Sequence, residues 1–199
     1  MLLAGAGTGK TRVITFRMAN MLRNGVRPEQ IVALTFTNKA AREMKERVAD
    51  LCPQDYKNLT VSTFHSFCLQ LLRRFTKEAG LSGRFSIASS SDQLDLVRRS
   101  LDEKGWSGSY RAEAVHAGIS HAKNNLWTAD EIEKYGNIAV FQGCDPAALA
   151  QLFVLYERQL RLHQAIDFDD CIYRTVLMLR SHPEVREGLE QQYRYMLVD

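Results

Sequence analysis

The sequence predicts an α/β fold: a parallel sheet covered by helices and interrupted by an all-helical segment. Three observations lead there. A glycine-rich loop, "AGAGTGKT" at 4–11, joins a short apolar stub to a helix. Apolar runs then alternate with helical periodicity through the first ninety residues and return near the C-terminus. Between about 90 and 165, helix-start signals recur without a convincing buried strand. Strand–helix alternation at such spacing is the pattern of a parallel sheet with crossover helices.

Met1-Leu2-Leu3-Ala4 reads as the end of a strand. After the loop, Ile14, Met18, Met21 and Leu22 share one helical face, and Gly25 supplies a stop. "IVALTF" (31–36) is a continuous apolar run of the buried-strand type. "NKAAREMKERVADL" (38–51) places Ala41, Met44, Val48 and Leu51 on one stripe and ends before Pro53. "LTVSTF" (59–64) predicts a third strand, and "SFCLQLLRRFTKEAG" (66–80) a third helix closed by Gly80. Ser90-Ser91-Asp92-Gln93 has the form of a capping box opening a helix near 91–104, and Thr128-Ala129-Asp130-Glu131 is a second box. Asp145-Pro146 reads as an N-cap with proline at the first helical position, starting a helix that runs to about Gln164. A helix near 168–181, a short one from Pro183 and a last strand, "YRYMLV", return the chain to the α/β pattern.

Composition bounds the function classes. At 199 residues with 45% hydrophobic and 25% charged residues, the chain has the make-up of an ordinary soluble globular protein. No apolar run approaches the roughly 20 residues that span a bilayer, and "MLLAGAG" lacks the basic leader of a signal peptide. Cys52, Cys68, Cys144 and Cys171 lie far apart with no C-x-x-C pair, which argues against a zinc site or disulfide framework and suits reduced thiols in a cytoplasm. A net charge of +3 does not mark a nucleic-acid binder by itself. The clusters Lys39, Arg42, Lys45, Arg47 and Arg73, Arg74, Lys77 read first as solvated helix faces.

The loop carries the chemistry. Ala4-Gly5-Ala6-Gly7-Thr8-Gly9-Lys10-Thr11 is close to the phosphate-binding pattern G-x-x-x-x-G-K-[ST], with alanine at the first position. Small residues let successive backbone N–H groups turn toward phosphate oxygens, and the helix N-terminus adds partial positive charge. In that pattern Lys10 reaches the β- and γ-phosphates and the Thr11 hydroxyl ligates Mg²⁺. A ligand-free strand-to-helix turn is the alternative. Such a site also needs a carboxylate at a nearby strand end, and Asp199, closing "YRYMLVD", is the leading candidate. A turn-forming Asp is its alternative reading.

"AGAGTGKTRVI", "ALTFTNKAAREMKERV", "VSTFHSFCLQLLRR", "IDFDD" and the terminal "LVD" together resemble, in order, the motifs of superfamily 1 DNA helicases of the UvrD/Rep/PcrA type. The resemblance covers the whole chain but only the first half of such a protein. It implies a RecA-like first motor domain (1–89 and 166–199, ending at the Walker B strand) split by a helical insertion domain (90–165). It implies ATP with Mg²⁺ as cofactors, held by Ala4 to Thr11 and Arg12, with Lys10 and Asp199 catalytic and Thr11 and Asp199 on the metal. The partner it implies is single-stranded DNA, on which such proteins move 3′ to 5′, with the insertion touching duplex at the single-strand/duplex junction. By motif position Thr35, Phe36, Asn38, Thr63, Phe64 and His65 touch the strand, and so does Phe168.

Aromatic rings at strand ends offer stacking platforms, and hydroxyl, amide and imidazole groups suit phosphate contacts. Core packing is the alternative for Phe36 and Phe64, helix capping for His65, and a buried ring in an Asp-capped helix for Phe168. Trp106 and Trp127 fall in the insertion, with core burial as the default. In the family a Glu that activates water and a coupling Gln follow the Asp, a glutamine motif precedes the loop, and a second motor domain brings arginine fingers. The chain is therefore expected to be a fragment cut at both ends. It is expected to bind nucleotide and DNA, to hydrolyse little by itself, and to have the missing C-terminal half as a partner. Other readings are the motor part of a helicase–nuclease subunit, a non-enzymatic DNA-binding module with a vestigial loop, and a GTPase or small-molecule kinase. Asn38-Lys39-Ala40-Ala41 lacks the Asp of the guanine-reading N-K-x-D, which disfavours the last.

Overall fold

The structure is a computed structural model that describes residues 9–53, 56–137, 139–141 and 143–199. In chain order its elements are α1 (Lys10–Arg23), β1 (Ile31–Thr35), α2 (Asn38–Leu51), β2 (Thr60–Thr63) and α3 (Phe64–Arg74), then β3 (Ser86–Ile87), α4 (Ser90–Lys104), α5 (Ala112–Asn124), α6 (Ala129–Tyr135), α7 (Pro146–Leu162) and β4 (Ala165–Ile166), and finally α8 (Asp170–Ser181), α9 (Pro183–Gln192) and β5 (Tyr195–Val198). The chain divides into two compact units, Met1–Gln70 with Leu179–Asp199, and Leu71–Met178. Among the described residues no helix is long and apolar enough to cross a membrane.

The first unit is a mixed α/β structure on a parallel sheet of order β2-β1-β5. β1 is central, with Thr35 opposite Thr63 of β2 and Leu34 opposite Val198 of β5. Ile31 to Leu34 are all buried, as the unbroken apolar run requires of a strand covered on both faces. Ile31, Ala33 and Leu197 pack with Met18 and Leu22 of α1 and with Met44 and Val48 of α2, as periodicity predicts, and with Ala19, which it does not single out; Ile14 and Met21 pack partly buried beside them. The strand ends one residue early, leaving Phe36 outside it. The predicted strand over Met1–Ala4 lies outside the described residues.

The third helix departs from expectation at both ends. The Thr63 hydroxyl accepts the Ser66 N–H at 3.2 Å, so the helix starts at Phe64 and not at 66. It ends at Arg74; a separate turn follows, in which Gly80 adopts a left-handed φ of 65° and Leu81 N–H donates to the Thr76 carbonyl at 2.8 Å.

In the second unit, helices α4 to α7 enclose a core that includes Val97, Val115, Ile119, Ile132, Leu149, Leu152, Tyr156 and Leu160. Trp106 and Trp127 pack partly buried against it, the core role that was their default. The boxes at Thr128/Glu131 and the cap at Asp145 form as expected. The first box is shifted by one residue: Ser89 caps α4, with Asp92 as its partner, because Gln93 is buried and donates to the Ala88 carbonyl instead. α7 stops at Leu162, two residues short of the expected end, and Gln164 turns the chain with a φ of 48°. Two parallel two-residue strands, β3 and β4, were not foreseen.

Two glycines predict opposite responses. Gly188, inside α9, has open space where a Cβ would sit, whereas a Cβ on Gly136 would collide with the Ile132 carbonyl and the Phe141 ring. Gly188→Ala is expected to raise stability by about 0.5–1 kcal/mol, and Gly136→Ala to lower it by about 1–3 kcal/mol. Denaturant unfolding of the two variants checks both signs.

Candidate functional site

The carboxyl edge of the sheet is where an open α/β sheet presents its ligand site. β1, β2 and β5 run in parallel; Asp199 comes level with Thr35 and Thr63 at this edge, and Phe36 and Phe64 leave the sheet one residue beyond. The Asp199 N–H donates to the Leu34 carbonyl at 3.0 Å, carrying the ladder one residue past β5. α1 begins beside it. Gly9, at a left-handed φ of 83°, precedes the helix; no side chain caps its first turn and no acidic residue lies in that turn. The Thr11 hydroxyl donates to Asp199 Oδ2 at 2.8 Å across 188 positions of sequence.

This observation tests the implied Mg-nucleotide. A hydroxyl and a carboxylate in contact form a hard oxygen pair of the kind Mg²⁺ takes, next to a helix start whose N–H groups are left for an anion. The residues present fit the group. When bound, it would supply a phosphate charge and a cation to this edge, with Thr11 and Asp199 holding the cation. Ala4, Gly5, Ala6, Gly7 and Thr8 lie outside the described residues, as does the side chain of Lys10, the first residue of α1. Arg12 is exposed, with its guanidinium 5.5 Å from the centre of the Phe16 ring.

The residues expected on DNA at this edge differ in exposure. Phe36 is 86% exposed, which removes core packing as its role. Asn38, also exposed, is the first residue of α2. Thr35 and Thr63 are buried partners across β1 and β2, and Thr63 caps α3. Phe64 and His65 are half-buried in the first turn of α3. Thr37, which the sequence reading passed over, caps α2 by accepting the Ala40 N–H at 3.1 Å.

Phe168 lies in the second unit and is 55% exposed. The Asp-capped helix expected there forms: Asp170 N–H donates to Asp167 Oδ1 at 2.7 Å, and Asp167 N–H donates to Asp170 Oδ2 at 3.2 Å. The ring, however, is not buried.

Beneath this turn is a charge cluster that was not anticipated. Lys123 of α5 has no exposed side chain, and its Nζ lies 2.7 Å from Glu157, 2.6 Å from Asp167 and 2.9 Å from Asp170. Arg174 adds contacts to Glu157 at 2.6 Å and Asp170 at 3.1 Å. The Tyr156 hydroxyl donates to Asp167 at 3.0 Å. The Lys123–Glu157 pair closes the cluster at ion-pair distance. The available signal was a lysine four residues after Ile119 on the core stripe of α5, where a solvated charge does not belong.

A parallel sheet with a glycine-opened helix and a carboxylate at its carboxyl edge defines the class of α/β domains that take ligands at that edge. More narrowly, residues 1–199 match the model of the UvrD/REP helicase N-terminal domain, and the chain belongs to that family. It is 37% identical over 201 residues to the ATP-dependent DNA helicase PcrA of Bacillus subtilis (strain 168), covering 100% of this chain and 26% of that protein. It is 37% identical over 202 residues to PcrA of Leuconostoc citreum, with coverage of 100% and 26%. Against PcrA of Staphylococcus epidermidis it is 36% identical over 201 residues, with coverage of 100% and 27%. The chain thus spans about a quarter of the length of these relatives. The resemblance read from the motifs is borne out.

The cluster makes stability depend on pH. Burial raises the Glu157 carboxyl above its ordinary value of 4.5 against the pull of Lys123, and the charge of Asp170 adds to the rise. The unfolded chain therefore ionises first as pH climbs. The stability contributed by protonated Glu157 is complete below 4.5 and is lost as pH rises through the folded value. Asp170 works in a separate window: burial opposes its ionisation, but Lys123 and Arg174 outweigh it, so its contribution is lost only as pH falls below 3.8. Glu157→Gln is expected to make the decline above pH 4.5 shallower, read from denaturation midpoints across that range; an unchanged slope would rule this out.

Proposed function

We propose that this chain is the nucleotide- and DNA-binding part of an ATP-dependent DNA helicase that moves 3′ to 5′ on single-stranded DNA. The observation that carries the reading is the Thr11–Asp199 contact, which joins the two ends of the chain at the carboxyl edge of one parallel sheet. Residues Ala4 to Arg12 form the phosphate cradle, with Lys10 on the β- and γ-phosphates and Thr11 and Asp199 on Mg²⁺. Support for the cradle comes from the left-handed Gly9 and the uncapped first turn of α1. Membership of a helicase family and the names of its PcrA relatives support ATP as the nucleotide.

In the same reading the single strand runs over Thr35, Phe36, Asn38, Thr63, Phe64 and His65, with Phe168 as a further stacking residue. Exposure supports the two aromatics Phe36 and Phe168, since a large ring left in water at a strand or helix start suits a stacking partner. The buried Thr35 and Thr63 hold the strand ends that place Phe36 and Phe64. The helical insertion (90–165) meets the single-strand/duplex junction, and the remainder of the parent protein completes the motor in the cytoplasm, in a process such as DNA repair. Hydrolysis by the 199-residue chain alone is expected to be slight, with or without DNA.

Calorimetry with Mg-ATP tests the cradle. The unsubstituted chain should bind, and Lys10→Ala should weaken binding by about tenfold to a hundredfold, the worth of a hydrogen bond to a charged group. Equal binding by both, or none by the unsubstituted chain at millimolar Mg-ATP, would sink the assignment. Oligonucleotide binding should weaken as salt rises if the strand is gripped by its phosphates.

A further inference from the structure

The stretch Asp167-Phe168-Asp169-Asp170 is tied to α5 at two adjacent residues. Lys123 Nζ takes Asp167 and Asp170 at 2.6 and 2.9 Å, and the Asn124 amide donates to Asp169 Oδ1 at 3.2 Å. Asp167 and Asp170 also close on each other's backbone, so the carboxylates that flank Phe168 are fixed from two directions. Both are buried, while Phe168 between them is 55% exposed. A phenylalanine in a loosely held turn would fold its ring onto the apolar core. Here the turn cannot rotate to allow that without pulling two buried carboxylates off their cation. Lys123 is thus poised to act on something beyond its own burial. Apolar residues would fill the same space without desolvating five charges, whereas an ion cluster dictates one geometry.

We propose that Lys123 is a positioning residue for Phe168: by pinning Asp167 and Asp170 it keeps the Phe168 ring in solvent, where a base of single-stranded nucleic acid stacks on it. The inference rests on the reading of Phe168 as a nucleic-acid contact and adds the residue on which that contact depends.

The test uses the 199-residue chain and a fluorescently labelled oligothymidylate, followed by anisotropy. Lys123→Met alone leaves three carboxylates facing Arg174, so it is paired with Glu157→Gln, which restores the cluster's net charge and keeps Asp167 and Asp170. Circular dichroism confirms folding, and either variant that keeps the native spectrum serves. Phe168→Ala is expected to weaken binding by about fivefold or more, the range of one lost base–aromatic stack. The Lys123→Met/Glu157→Gln variant is expected to weaken it to a similar degree. Combined with Phe168→Ala, it should weaken binding no further, because both changes remove the same contact.

A cluster that merely stabilises the unit would instead give additive losses, and additivity overturns the proposal. So does unchanged binding by the Lys123 variant beside a weakened Phe168→Ala, which leaves the stacking reading intact. Unchanged binding by Phe168→Ala, or no binding by the unsubstituted chain, overturns the stacking reading and this inference together.

Discussion

The first unit depends on one constraint: β1 is hydrogen-bonded on both edges and buried on both faces. A strand in that position has no freedom of register, because a shift of one residue would turn its side chains to the opposite faces and break both ladders. The register then decides which residues leave the sheet together. Thr35 stands against Thr63 and Leu34 against Val198, so Phe36 and Phe64 emerge side by side, while Asp199 comes level with Thr35, one residue earlier. Asp199 is held by its own backbone bond to Leu34 before its side chain does anything. The Thr11–Asp199 contact is therefore a consequence of sheet pairing, and it survives only while the ladder does.

The second unit is organised around charge. Lys123 and Arg174 face Glu157, Asp167 and Asp170 at a site with almost no solvent, which leaves one negative charge in excess. Each ion loses several kcal/mol of hydration on burial, and only close pairing offsets that loss. The surface pairs differ in kind. Lys39 and Glu43 meet at 4.0 Å with the lysine 88% exposed, and such pairs contribute little. The basic residues of α2 fit the solvated face read for them, whereas a single buried lysine ties together two helices and a turn.

What the sequence made legible follows from what periodicity and caps encode. Apolar stripes located α1 and α2, and the side chains at Thr128 and Asp145 began helices where their chemistry said they would. Motif spacing singles out Thr11 and Asp199, which meet at 2.8 Å. The rest had no such code. Two-residue strands such as β3 and β4 are too short for any period to register. The early start of α3 came from a hydroxyl on the last residue of a strand, which strand periodicity counts only as a strand residue. Lys123 was missed because charge is normally evidence of exposure. Its partners Asp167 and Asp170 were visible as a capping pattern but not as the ligands of a buried ammonium.

The exposure of Phe36 and of Phe168 has a common physical origin. Phe36 immediately precedes Thr37, the N-cap of α2. In that place a hydrophobic residue usually folds onto the fourth residue of the helix. Here that residue is Ala41, too small to cover a phenyl ring, and Phe36 remains 86% exposed. Phe168 sits just inside a cap made by Asp167 and Asp170, and their burial sets the direction of the chain on either side of it. In both cases a helix start fixes the backbone beside an exposed ring. Fully covering either ring would return about 1.5–3 kcal/mol of hydrophobic stabilisation, but Ala41 is itself buried, so a larger residue there would crowd α2 before it covered Phe36. That both rings stay exposed fits the stacking role proposed for them.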